Sequence, residues 1–209
     1  MIGLYFARKE RKLRYGDNRT IRIGRTHKVK PPIELCKRGL HASNRVMDAL
    51  EYAPGPILYL VELSGEIIHG DDKSVATERV YLFGFDATKL LHEFARKQIL
   101  INIEKIKPYT DKYDLIIEYL NTGDEKLRSS AYSVAWAAAC SADRPAIYAS
   151  WSAEAAVCSV ACSTAEAAAC AAAGYDAEFV ARVATRYTDK SAANEMLTSM
   201  IKEKTGWNI

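Results

Sequence analysis

At 209 residues, with 49% hydrophobic and 26% charged residues and a mean hydropathy of −0.17, the chain has material for one large domain or two small ones and is too apolar to be mostly disordered. It holds no run of about 18 uninterrupted apolar residues, which excludes a membrane-spanning helix, and charges stand where a signal peptide has its apolar stretch. The formal net charge of +3 hides a gradient: residues 1–50 carry a net +9 and residues 51–209 a net −6.

In chain order, the first 85 residues read as strand-rich. Ile2–Ala7 is a short apolar run, Thr20–Val29 alternates in part, and Pro31-Pro32 precedes the short run Ile33–Cys36. Asn44–Tyr52 has helical spacing, with Asn44 as N-cap. Ile57–Ile68 is the clearest strand, with Glu62, Ser64 and Glu66 on a solvated face. Val75–Phe85 is its hairpin partner around Gly70–Lys73.

From Asp86 the period becomes that of helices. Asp86 caps a helix to about Ile106 that buries Leu90, Leu91, Phe94 and Ile101, and Pro108 ends it. Thr110 or Asp111 starts a second helix, closed near Gly123, and Asp124 caps a third to about Ala142. Arg144-Pro145 interrupts the chain, and Ser163-Thr164-Ala165-Glu166 fits a capping box. Gly174 fits a C′ glycine, and Asp176 and Asp189 cap two last helices. The expected fold is α+β: an N-terminal mixed or antiparallel sheet module over 1–86, then an all-α helical module over 87–209.

Alanine is concentrated in the second module. Of 31 alanines, 22 lie between Ala131 and Ala184. Alanine favours helix but buries little area, so such helices gain stability by packing closely. Tyr132, Trp136, Ile147, Tyr148, Trp151, Val157 and Val160 would anchor them, within the chain or across a homo-oligomer interface. Cys158, Cys162 and Cys170 share one helical face, yet no histidine is near and no CxxC pair occurs, so packing is the expected role and no metal is expected. An odd count of five cysteines fits reduced thiols in a cytoplasm.

The densest chemistry is Cys36-Lys37-Arg38-Gly39-Leu40-His41-Ala42-Ser43-Asn44. Glycine among two cations and a histidine, ahead of a helix, presents N–H groups and positive charge to a phosphate. The alternative is a strand turning into a helix with His41 as a structural residue. Asp71-Asp72-Lys73 and Glu78-Arg79 form a second polar group, readable also as a charged hairpin turn and an outward strand face. Candidate ligand contacts are Arg25, Arg38, Gly39, His41, Ser43, Tyr52, Lys73 and Arg79. The basic segments Arg8–Arg14 and Arg19–Lys30 could instead contact nucleic-acid phosphates.

Four strings, Cys36–Ser43 (C-x-x-G-L-H-A-S), Asp48–Gly55, Val61–Ile67 and Asp71–Arg79, resemble a family of uncharacterised bacterial and phage proteins over roughly residues 1–100. Members often carry an Ala-rich helical tail. The resemblance implies a phage or prophage setting, hence an accessory protein in a host cytoplasm that sequesters a nucleotide signal or caps a host protein, but no activity. Gly39–Ser43, Asp48–Tyr52 and Val61–Gly65 are also similar to the strand, helix and strand of ADP-ribosyltransferases. That similarity implies NAD as cofactor, His41 and Tyr52 at the nicotinamide and Glu78 as the catalytic carboxylate. His41 stands where those enzymes have a tyrosine, and Leu4–Ala7 lacks their first-strand histidine or arginine. The leading expectation is a non-enzymatic protein without cofactor, whose basic module binds a phosphate-bearing ligand such as a nucleotide.

Overall fold

The structure is a computed structural model that describes residues 1–148, 153–173, 175–186 and 188–209, with side chains outside 143–162. The fold is α+β, an antiparallel sheet followed by helices. The chain forms two compact units, Met1–Lys89 together with Leu197–Ile209, and Leu90–Met196. The C-terminal residues, expected in the helical module, thus belong to the first unit. The Trp207 ring lies 6.3 Å from that of Phe83 and 5.4 Å from that of Phe85, and this contact holds the tail there.

In the first unit, β4 (Ile57–His69) and β5 (Ser74–Asp86) form a long hairpin closed by the Gly70 N–H donating to the Lys73 carbonyl. Glu62, Ser64 and Glu66 are exposed while Val61 and Leu63 are buried, as the alternation requires. β1 (Ile2–Ala7) pairs with the first half of β4. Two short strands share the free edge of β5: β3 (Leu40–Ala42) opposite Ser74–Ala76, and β2 (Thr26–Lys28) opposite Glu78–Val80. Leu4 and Ser43 exchange backbone hydrogen bonds of 2.7 and 3.0 Å, so β3 also meets β1 and the sheet curls back on itself. Leu40, Ala42, Tyr59, Val61, Leu63, Ala76 and Tyr81 form part of the core inside the curl.

Several local expectations are corrected. Only Thr26–Lys28 of the Thr20–Val29 run is strand. Ile33–Cys36 is not a strand, because Glu34 and Arg38 bond each other across a turn in which Cys36 adopts a φ of 66°. Helix α1 (Val46–Glu51) starts two residues after Asn44, with Arg45 in the cap position and no side-chain cap.

Helix α2 (Thr88–Asn102) begins as expected, with Asp86 Oδ1 accepting from the Thr88 N–H at 2.9 Å. It buries Leu90, Leu91, Phe94 and Ile99; Ile101 falls off that 3.6-residue stripe and is 57% exposed. A 3-10 segment, Ile103–Tyr109, carries the chain to Thr110, followed by α3 (Tyr113–Thr122), which ends at left-handed Gly123. Asp124 Oδ1 accepts from the Lys126 N–H before α4 (Arg128–Tyr148).

In backbone, α4 runs on through Arg144-Pro145, and α5 (Ala153–Ala173) runs through Ser163–Glu166, so neither the break nor the capping box forms. The high helix propensity of the flanking alanines carries the helix past both sites. α4 packs on α5, and its Ala131, Ala135, Ala138 and Ala142, spaced by four, three and four, share one buried face. Tyr132 and Trp136, expected as anchors, are instead exposed (39% and 52%) because they fall off that face. The other expected anchors, Ile147, Tyr148, Trp151, Val157 and Val160, lie outside the described side chains, as do Cys158 and Cys162; Gly174 is outside the described residues. The last-turn carbonyls of α5 are satisfied by Tyr119 Oη donating to Ala171 and Arg128 Nε donating to Ala172, both at 2.8 Å. Asp176 precedes α6 (Ala177–Ala184) without a side-chain cap, whereas Asp189 Oδ1 accepts from the Ala192 N–H at the start of α7 (Lys190–Thr205).

Candidate functional site

The first unit contains a cleft of about 650 Å³ between β1 and β3. Leu4–Phe6 supply one wall, Gly39–Ser43 the other, and Arg79 reaches in from β5. Leu13, Arg14, Tyr15 and Asp17 from the loop after β1, together with Cys36, Lys37, Ala49, Tyr52, Pro54 and Lys73, complete the lining. Burial orders these residues in depth, from Arg79 at 2% exposed to Tyr52 at 45% and Tyr15 at 92% on the rim.

Strand alternation places Arg79 and Tyr81 on the inner face of β5. The guanidinium stacks 3.8 Å from the Tyr5 ring centroid. Its Nε and Nη2 donate to Tyr81 Oη at 3.1 and 2.7 Å, and Nη1 donates to the His41 carbonyl. Two of its five N–H groups remain for a ligand. Among the described residues no carboxylate forms an ion pair with Arg79. A buried cation ordinarily needs a counter-charge, since desolvation costs several kcal/mol for an unpaired ion.

With two acceptances from Arg79, Tyr81 Oη must donate its own proton to His27 Nδ1, 3.2 Å away. His27, 1% exposed, then carries its proton on Nε2, which is buried without a partner. Burial, and then the nearby Arg19, Arg79 and Arg25, push its pKa down. His41 is also pushed down, by burial first and then by Arg79 and Lys73, against a hydrogen bond to the Gly39 backbone. Its Nε2 is buried with no protein partner.

At the rim, Lys73 Nζ sits 3.5 Å from the Tyr52 ring centroid, and Tyr52 Oη donates to Asp72 Oδ2. That hydrogen bond raises the Tyr52 pKa. On the opposite lip, Arg14 lies 4.8 Å from the ring centroid of Tyr15, whose backbone is left-handed at φ 58°.

Six of the eight candidate ligand contacts, Gly39, His41, Ser43, Tyr52, Lys73 and Arg79, come together in this cleft. Arg25 and Arg38 do not: both are exposed outside it, Arg38 in the Glu34–Arg38 turn. Glu78 is also outside. Its carboxylate takes a 2.7 Å bond from Lys28 Nζ and lies 3.5 Å from Ser64 Oγ, on the face of β5 opposite Arg79. Tyr5, Arg14 and Tyr15 were not among those eight, though Arg14 ends the Arg8–Arg14 segment read as a nucleic-acid contact. Tyr5 sits in a plain apolar strand, and Arg14-Tyr15 in a basic segment whose return to the sheet no local pattern announces. Among the described residues no group of three or more His, Cys, Asp or Glu side chains is placed to hold a metal ion, and no helix is long and apolar enough to cross a membrane.

Residues 13–93 match the model of a family described as Domain of unknown function (DUF7666). The matched span carries the cleft residues from Leu13 to Arg79 and leaves out β1. No curated protein and no solved structure matches the chain.

Proposed function

We propose that the first unit binds a phosphate-bearing small molecule in the cleft between β1 and β3, with Arg79 as the anion anchor. The observation that carries this reading is the Arg79 guanidinium, buried, free of any carboxylate ion pair among the described residues, and lining a cleft of about 650 Å³. A bound oxyanion supplies the missing charge and takes the two N–H groups that the protein leaves open. Lys73 adds a second cation. The reading is one of binding without catalysis. A transferase needs Glu78 beside the ligand, whereas its carboxylate is engaged by Lys28 on the other face of β5.

Thermal unfolding of the full chain with and without inorganic pyrophosphate tests the proposal. The expected result is a melting temperature that rises with pyrophosphate concentration, less at high salt, and does not rise in Arg79→Met. Lys73→Ala, at a half-exposed position, is the companion variant should Arg79→Met fold poorly, and its shift is expected to shrink. No shift with pyrophosphate at millimolar concentration and low salt would overturn the proposal.

A further inference from the structure

Three tyrosine rings line the cleft, and each carries a cation on one face: Arg79 over Tyr5 at 3.8 Å, Lys73 over Tyr52 at 3.5 Å and Arg14 over Tyr15 at 4.8 Å. The pairs differ in depth. Tyr5 is partly buried beside the buried Arg79, whereas Tyr15 is 92% exposed at the lip. Resting on the anion reading above, we propose that the cleft recognises a nucleoside diphosphate: the diphosphate between Arg79 and Lys73, and the base stacked on Tyr15.

Two charge sites require more than one phosphate. Neither Arg79 nor Lys73 forms an ion pair among the described residues, and both line the same cleft. Asp17, a carboxylate in the lining, is already held by Arg19 at 2.5 Å and neutralises neither. A single phosphate on Arg79 leaves Lys73 without a counter-charge, whereas a diphosphate offers an anionic group to each.

The base requirement comes from Tyr15. A large ring left almost wholly in water gains nothing for folding, and its left-handed backbone is a conformation that side chains rarely adopt. One face is taken by Arg14 and the other is open to a planar group. Stacking of a base on such a ring is expected to give roughly a tenfold effect on affinity.

Calorimetric titration of the full chain with ADP, AMP and pyrophosphate tests this. The expected order is ADP tightest, with pyrophosphate and AMP each roughly tenfold weaker. Tyr15→Ala is expected to bring ADP down to the affinity of pyrophosphate without changing pyrophosphate itself, and Tyr15→Phe to keep ADP binding. Lys73→Ala is expected to weaken ADP and pyrophosphate together and to spare AMP. If pyrophosphate binds but ADP binds no more tightly, or if ADP is indifferent to Tyr15→Ala, the nucleoside diphosphate assignment is overturned and the anion site stands. If none of the three binds, both readings fall.

Discussion

Arg79 shows how a single side chain sets the properties of its neighbours. Its charge, buried with theirs, helps keep His27 and His41 neutral. Both histidines therefore have a folded pKa below the ordinary 6.5 of the unfolded chain, and between those values the unfolded state binds more protons. Their contribution to stability is complete above pH 6.5 and is lost as pH falls through the depressed folded values. Chemical unfolding of the protein between pH 7.5 and 5 is expected to show a falling midpoint, and His27→Gln a shallower fall. An anion on Arg79 offsets the repulsion felt by His41, so pyrophosphate affinity is expected to rise over the same descent in pH.

At the scale of elements, the cleft depends on β3 lying against both β5 and β1. Gly39 makes that approach possible. Its φ is +134°, and a Cβ there would stand 2.2 Å from Val75 Cγ2 on the facing strand. Gly39→Ala is expected to destabilise the first unit by about 2–3 kcal/mol through strain and displacement of β3. Denaturant unfolding measures the loss, and a change within about 0.5 kcal/mol would show that the strand adapts. Hairpin and strand were legible locally: alternation gave β4 its two faces, and Gly70-Asp71-Asp72 marked its turn. The tandem placing of β3 and β2 on one edge of β5 was not legible, because three-residue strands carry almost no periodic signal.

For the whole molecule, the return of Leu197–Ile209 to the first unit is the feature that chain order conceals. Trp207 makes the ring contacts that hold it, against Phe83 and Phe85 on the outer part of β5. Trp207→Ala is expected to cost the first unit about 1–2 kcal/mol and to expose Phe85. Amide hydrogen exchange along β5 measures it: faster exchange around Phe83–Phe85 is the expected outcome, and unchanged protection would show that the tail is not needed there.

The sequence by itself determined the α+β class, the long hairpin, the helical and alanine-rich second half, and six of the residues that line the cleft. These follow from local patterns of alternation, capping, propensity and charge, which a chain displays before it folds. Only the tertiary structure decided that the sheet curls until Leu4 meets Ser43, that Glu78 faces away from Arg79, and that Tyr5 and Tyr15 join the site. Those are matters of which face and which edge meet across long separations. A one-residue change of register reverses a strand's faces without altering any local pattern.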